Sequence, residues 1–313
     1  MLNGVFNLFI SIGKKTIGFL LFIICSFAIY NKVLSNESWS QYGTILRKLI
    51  FSIPFYQWLI LLCLMSINFL IESIKWKKAV SENNSISLLN AIKGVLVGQT
   101  FAFFTPNRIG EYAGRTLFLE KGNKLMGIAQ LGWASYAQLL VTIIVGAFAL
   151  AINLSQYEWI GSNLLIWLRL GIPIVVLLAI VLFFYKHIWK GRLAFLNIIQ
   201  IDSKVKMHLF GLSIIRYLLF LLQYAWVAIM LKMNIEFIPL ILSVATLFLF
   251  LSILPTISIT ELVIRGQLLL MILAPLYHDK MIIISLSSLI WGVNFLLPSI
   301  IGAILLLGYR LNR

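Results

Sequence analysis

Long apolar runs alternate with short polar segments along most of the 313-residue chain. Six of these runs are uninterrupted and reach the roughly 20 residues that a helix needs to cross a bilayer. They cover residues 16–35, 51–74, 125–152, 163–185, 209–231 and 282–308. The pattern predicts an all-α polytopic membrane protein, a helical bundle in which residues 1–313 form a single integral membrane domain.

Two further apolar regions are each interrupted by a proline. Region 88–120 is broken at Pro106, and region 237–276 is broken at Pro255. Proline removes a helix hydrogen bond and disfavours helix in the residue before it. Each region is therefore predicted to form two short helices with a polar break between them.

The positions of lysine and arginine predict the topology. Basic residues follow several of the apolar runs, whereas the loop 153–162 contains none. Because basic loops tend to stay in the cytoplasm, we expect both termini to be cytoplasmic in a plasma-membrane protein. With six crossings, region 88–120 must then enter and leave from the cytoplasm, and region 237–276 from outside. Such oppositely oriented re-entrant hairpins are typical of an inverted repeat; ten full crossings is the alternative.

Each interrupted region carries a Glu-xxx-Arg step after its proline. Glu111 and Arg115 form the first step, and Glu261 and Arg265 form the second. A spacing of four places both side chains on one helix face, and the glutamate lies near the helix start, where the helix dipole favours anions. Ionisable groups at membrane depth usually mark a functional site, so we predict that both pairs bind substrate. The alternative is a structural role, in which the pairs lock the short helices in place.

Other polar residues within apolar sequence have less specific interpretations. Arg108 belongs either to the same binding site or to the cytoplasmic surface. Arg216 is expected to extend to the cytoplasmic headgroups, or alternatively to line a lipid path. Glu72 is expected to be an interfacial charge beside Lys75. Asn294, four residues before Pro298, predicts a kink.

Composition excludes several classes of function. Only 11% of the residues are charged, against about a quarter in a soluble domain, and 61% are hydrophobic. The net charge of +15 arises from residues between the apolar runs, where they set topology and attract anionic lipid, so no nucleic-acid partner is expected. The sequence has no P-loop, no HExxH step and no Gly-x-Ser-x-Gly step. We expect no cofactor, no metal site and no catalytic residues.

The segments PNRIGEYAGR (106–115) and LPTISITELVIRGQ (254–267), in this order, carry a resemblance. Together with the span that follows the first of them, they resemble the transmembrane, flippase-like region of lysylphosphatidylglycerol synthases and their stand-alone relatives. The resemblance implies a helical bundle with re-entrant segments that moves a phospholipid, or an aminoacylated one, between leaflets. It places Arg108, Glu111, Arg115, Glu261 and Arg265 at the polar motif positions.

The chain departs from that family in two respects. The synthases continue into a soluble aminoacyl-transferase domain, which this sequence does not contain, so lipid synthesis is not expected. Ser258 and Thr260 stand where relatives are often rich in glycine, which leaves the lipid open. The prediction is a lipid translocase whose partner is a membrane phospholipid or a lipid-linked glycan, and a homo-oligomer stays open. The alternatives are a transferase acting on a polyprenyl-linked sugar and a non-catalytic scaffold of an envelope-synthesis complex.

Overall fold

The computed structural model describes residues 50–82, 86–119, 124–153, 162–184, 201–255 and 258–311, together with Thr44, Arg47 and Lys48. The predicted span 16–35 and both chain termini lie outside these residues. The described part is helical and contains no strand. Its α-helices are α1 (Phe55–Val80), α2 (Leu88–Phe104), α3 (Gly110–Thr116), α4 (Lys124–Asn153), α5 (Ser162–Phe184), α6 (Ser203–Met230), α7 (Phe237–Ile253), α8 (Ser258–Leu273), α9 (Lys280–Trp291) and α10 (Leu297–Leu311).

Four helical stretches of the described chain are long and apolar enough to cross a membrane. They cover Phe55–Val80, Met126–Asn153, Ser203–Met230 and Lys280–Leu307. Large apolar side chains on these helices face outward; examples are Leu59 on α1 and Leu218 on α6. A contiguous exposed apolar surface of this kind needs lipid or protein against it. The prediction of an all-α chain with helices that can cross a membrane is therefore confirmed for the described residues.

Both predicted breaks are present where the prolines stand. Thr105 and Leu254, the residues before the prolines, end α2 and α7 in extended backbone, with ψ angles of 142° and 129°. This is the conformation that the proline ring imposes on its predecessor. After the first break a single 3₁₀ turn, Pro106–Arg108, leads into α3. The Thr105 hydroxyl accepts a hydrogen bond of 2.8 Å from the Gly110 backbone N–H, which anchors the start of that helix.

Glycine allows α3 to fold back along α2. A side chain on Gly114 would place its Cβ 2.6 Å from the Cα of Gly98, closer than real contacts permit. Nearer the turn, a Cβ on Gly110 would likewise come too close to the backbone of Phe101. Residues 98 and 101 therefore face residues 114 and 110, so that the two helices run antiparallel in direct backbone contact. The second interrupted region also forms a packed pair, α7 and α8.

The last long helix changes its pitch near Asn294, where a kink was expected. A π turn over Gly292–Leu296 joins α9 to α10. It directs Phe295 and the buried Asn294 toward the interior of the bundle. Extra residues in one helical turn shift the face that a helix presents, and such turns are common at functional sites.

Two clusters of buried apolar side chains form the core of the described part. The larger joins α1, α4, α6, α7, α8 and α9, and the smaller joins α1, α2, α4, α5 and α6. Ile143 and Phe210 pack against both clusters. The polar side chains described next lie where these helices face one another.

Candidate functional site

The Glu111–Arg115 pair forms on α3 as the spacing predicts. A guanidinium nitrogen of Arg115, Nη2, donates a hydrogen bond to Glu111 Oε1. The Arg115 side chain is only 1% exposed, whereas that of Glu111 is 24% exposed. The pair therefore joins a buried cation to a carboxylate that is partly exposed.

Arg115 has a second carboxylate partner that the local sequence pattern did not predict. Its Nη2 donates a hydrogen bond of 2.8 Å to Glu72 Oε1 on α1. The other Glu72 oxygen lies 2.8 Å from Lys75 Nζ and 3.0 Å from Arg216 Nη1. One buried carboxylate thus faces three cations carried by α1, α3 and α6. The expected contact of Glu72 with Lys75 is present, but the carboxylate is buried in the protein and also pairs with cations on α3 and α6, which the expectation of an interfacial charge did not include.

Arg216 is held inside the bundle by neutral groups as well as by Glu72. Its Nε donates to Asn68 Oδ1 over 2.9 Å, and its Nη1 lies within 3.4 Å of Gln138 Oε1 on α4. The same amide oxygen accepts from Lys75 Nζ over 3.3 Å. The expectation that Arg216 extends to the headgroups was therefore wrong. Its alternative interpretation, that it lines a lipid path, stays a prediction.

The Glu261–Arg265 pair forms on α8 with the same spacing. Arg265 Nη2 donates to Glu261 Oε1, and both side chains are less than a tenth exposed. Arg265 Nη1 donates a second hydrogen bond, of 2.8 Å, to the hydroxyl of Tyr224 on α6. In the described part of the chain, Glu261 is the single carboxylate that pairs with Arg265.

Arg108 lies between the two pairs. Its Nη2 donates to Gln99 Oε1 over 2.9 Å, and its guanidinium carbon lies 4.4 Å from the centre of the Phe295 ring. The guanidinium carbon of Arg265 lies 5.3 Å from the centre of the same ring. Phe295 therefore brings the first polar motif next to the second, as the hypothesis of a shared site requires.

These side chains line two adjoining cavities. The Arg265 cavity has a volume of about 540 Å³, and its wall includes Arg265, Glu261, Asn294 and Phe295. The Arg115 cavity has a volume of about 550 Å³, and its wall includes Arg115, Glu111, Glu72 and Lys75. Six residues belong to both walls: Asn107, Arg108, Gln138, Thr142, Arg216 and Ser252.

The combined wall carries more positive than negative charge. Its cations are Lys75, Arg108, Arg115, Arg216 and Arg265, and its carboxylates are Glu72, Glu111 and Glu261. Five cations against three carboxylates leave a formal excess of two positive charges, 5 − 3 = +2. A cavity lined by an excess of one sign of charge attracts the opposite charge, so the site favours an anionic ligand.

An apolar groove adjoins the charged space. It has a volume of about 240 Å³ and lies between α7 and α8, lined by Phe250, Ile253, Leu254, Leu268, Met271 and Ile272. Ile253 and Leu254 also belong to the wall of the Arg265 cavity. A charged cavity beside an apolar groove has the chemistry to hold an amphipathic anion.

Five residues were predicted to form the site, and the structure brings all five to the walls of the two cavities: Arg108, Glu111, Arg115, Glu261 and Arg265. To these walls it adds Glu72, Lys75 and Arg216, which the local motifs did not indicate, and it places the buried Tyr224 against Arg265. A signal for Arg216 and Glu72 was present, since both are charges within apolar runs. The rule applied to the Glu-xxx-Arg steps, that such charges usually mark function, would have found them.

Comparisons with known proteins do not assign the chain. No protein-family model matches it, and no curated protein matches it. The geometry of the two cavities and the groove therefore supports the functional conclusion on its own.

Proposed function

We propose that this chain is an integral membrane lipid translocase, which moves a phospholipid or a lipid-linked headgroup between leaflets. The observation that carries the proposal is that the charged Arg265 cavity and the apolar groove lie side by side and share the wall residues Ile253 and Leu254. A phosphate-containing headgroup fits the charged space, and an apolar chain fits the groove between α7 and α8.

The two Glu–Arg pairs give the site a means of binding and releasing a headgroup. Arg115 and Arg265 are oriented by the glutamates four residues before them. Arginine binds phosphate through several parallel hydrogen bonds, but here each guanidinium is already shared with a carboxylate. A bound phosphate therefore competes with Glu111 or Glu261, and this competition lowers affinity and favours release.

In this proposal the short helices form two re-entrant hairpins, which have opposite orientations and are related by an inverted repeat. Helix α3 has seven residues and a length of about 10 Å, well below the thickness of a bilayer core. Both α7 and α8 are also shorter than the roughly 20 residues of a full crossing. Irregular backbone at membrane depth is tolerated beside a water-filled cavity, which is where both breaks lie in this proposal.

A resemblance to flippase-like regions leads to the same proposal. In transporters of inverted-repeat architecture, substrate sites lie at the interface of the repeats, between interrupted helices. In this proposal α2–α3 and α7–α8 belong to the two repeats, and the cavities lined by residues of both regions are the substrate site between them. Rocking of one half against the other would open them alternately to the two leaflets.

Lipid scrambling in proteoliposomes tests the proposal. The rate at which a fluorescent phospholipid becomes accessible to an external quencher is compared between wild type, Arg115→Ala and Arg265→Ala. We expect each substitution to slow exchange about tenfold, the factor that corresponds to a loss of 1.4 kcal/mol.

Two further variants make this test specific. Arg47→Ala removes an exposed arginine that belongs to neither cavity wall, and it should leave the rate unchanged. Arg265→Lys keeps the charge and should retain more activity than Arg265→Ala. Equal rates in all variants that elute as folded protein would refute the proposed binding roles and favour the scaffold alternative.

A further inference from the structure

Two arginines at the junction of the cavities account for the excess positive charge. Without Arg108 and Arg216, the Arg115 cavity is balanced by two cations and two carboxylates: Lys75, Arg115, Glu72 and Glu111. The Arg265 cavity is likewise balanced, by Arg265 and Glu261. The two remaining cations, Arg108 and Arg216, belong to both walls.

Arg108 reaches the junction through an unusual backbone. Asn107 and Arg108 have φ angles of 50° and 60°, two consecutive left-handed residues that are not glycine. Such conformations cost free energy and cluster at functional sites. The contacts of the Arg108 guanidinium are the neutral amide of Gln99 and the Phe295 ring, and the described residues give it no carboxylate partner.

Arg216 also retains positive charge that its neighbours do not neutralise. Its carboxylate partner, Glu72, is shared with Lys75 and Arg115, so that one negative charge faces three cations. Its other contacts are the neutral amides of Asn68 and Gln138. Both junction arginines are therefore positioned to interact with a ligand held where the two cavities adjoin.

We infer that the headgroup held at this junction is a phosphomonoester, bound between Arg108 and Arg216; the inference rests on the proposed lipid translocase and names its substrate class. A phosphomonoester carries close to two negative charges at neutral pH, which matches the excess of two in the wall. A phosphodiester headgroup such as phosphatidylglycerol has one negative charge and leaves one cation uncompensated. A zwitterionic headgroup has no net charge and leaves both cations uncompensated.

Equilibrium binding to the purified full-length protein in detergent tests this inference separately from transport. The probes are short-chain phosphatidic acid, phosphatidylglycerol and phosphatidylcholine at pH 7. We expect phosphatidic acid to bind about tenfold more tightly than phosphatidylglycerol, and phosphatidylcholine to bind most weakly. Equal or tighter binding of phosphatidylglycerol would overturn the inference.

Substitution of the junction arginines tests their assignment. In Arg108→Gln and in Arg216→Gln the excess falls to one positive charge. The ratio of the affinity for phosphatidic acid to the affinity for phosphatidylglycerol should therefore fall toward one. Arg108→Lys keeps the charge and should keep the preference, and Arg47→Gln should behave as wild type. A purely structural role would weaken both lipids equally and leave the ratio of their affinities unchanged, which would overturn the assignment.

Two comparisons separate the remaining outcomes. Farnesyl phosphate carries the same phosphomonoester on an isoprenoid chain. If it binds more tightly than phosphatidic acid, the ligand is an isoprenoid lipid. If phosphatidic acid binds more tightly, the ligand is a glycerophospholipid. Preference for phosphatidic acid without any lipid scrambling by the wild type would support the headgroup site and refute translocation. Scrambling of every lipid at one rate with no binding preference would support translocation and refute the headgroup.

Discussion

The two Glu-xxx-Arg pairs share their spacing and their place after a proline, yet their surroundings differ. Arg115 belongs to a charged cluster in which Glu72 joins α1, α3 and α6. Arg265 has one carboxylate, Glu261, and completes its bonding with the neutral hydroxyl of Tyr224. The first pair is therefore part of a network that holds three helices together, whereas the second is a simple pair whose loss affects two helices. Similar sequence steps need not make equal contributions to stability.

The largest effect is expected at Glu72, the centre of the network. Glu72→Gln leaves Lys75, Arg115 and Arg216 buried with one fewer counter-charge, and removing one member of a buried ionic group typically costs about 3–5 kcal/mol. Thermal unfolding of the purified protein in detergent measures the effect. Lys77→Gln on the same helix, an exposed lysine, serves as the control and should change the midpoint little. If Glu72→Gln and Lys77→Gln had the same unfolding midpoint, the network would not stabilise the packing of α1, α3 and α6.

The two glutamates of the pairs should also differ. Glu261→Gln deprives Arg265 of its single described carboxylate, and we expect a loss of about 2–3 kcal/mol of stability. Glu111→Gln should cost less, because Glu111 is 24% exposed and Arg115 keeps Glu72. Parallel thermal unfolding of both variants ranks them. The opposite order would contradict the contrast between a networked arginine and an isolated one.

The close contact of α2 and α3 gives a third test of the first region. Gly114→Ala places a methyl group against the Gly98 backbone and should cost about 1–3 kcal/mol through overpacking. Gly211→Ala on α6 is the matched control, since a Cβ there meets nothing within 4 Å, and it should be neutral or stabilising. Unfolding midpoints that fall equally in both variants would show that the change reflects glycine replacement in general.

The smallest effect is expected at the tyrosine that completes the second pair. Tyr224→Phe removes the 2.8 Å hydrogen bond to Arg265 Nη1 and should cost about 1.5–2 kcal/mol. Tyr217→Phe on the same helix is the control, because the buried Tyr217 hydroxyl has no hydrogen-bond partner within the described chain. Its loss should be neutral or slightly stabilising. Equal unfolding midpoints for the two variants would mean that Tyr224 contributes nothing to the second pair.

The sequence was a good guide where the determinants are local. Pro106 and Pro255 act on their immediate neighbours, so both breaks were predicted, and Glu-xxx-Arg pairing follows from the geometry of a single helix. Helix ends were less accurate: α6 begins at Ser203 rather than near residue 209, because its first turns are polar and do not look like a membrane span.

Contacts between distant segments could not be predicted in this way. Glu72 and Arg115 are 43 residues apart, and Asn68 and Arg216 are 148 apart. A lone charge in an apolar run is compatible both with an extension to the headgroups and with a buried partner elsewhere. The choice between them depends on helix packing, which periodicity does not determine. The arrangement of the chain in the membrane, six crossings with two hairpins or ten crossings, stays a prediction.

The central claim is that both arginine motifs face one chamber that holds a lipid headgroup. A cryo-electron microscopy map of the full-length protein in nanodiscs that contain phosphatidic acid tests it most directly. The account predicts headgroup density bounded by Arg108, Arg216 and Arg265, with the chain density running along the groove between α7 and α8. Ordered lipid confined to the outer surface of the bundle, with Arg115 and Arg265 in separate closed pockets, would contradict it.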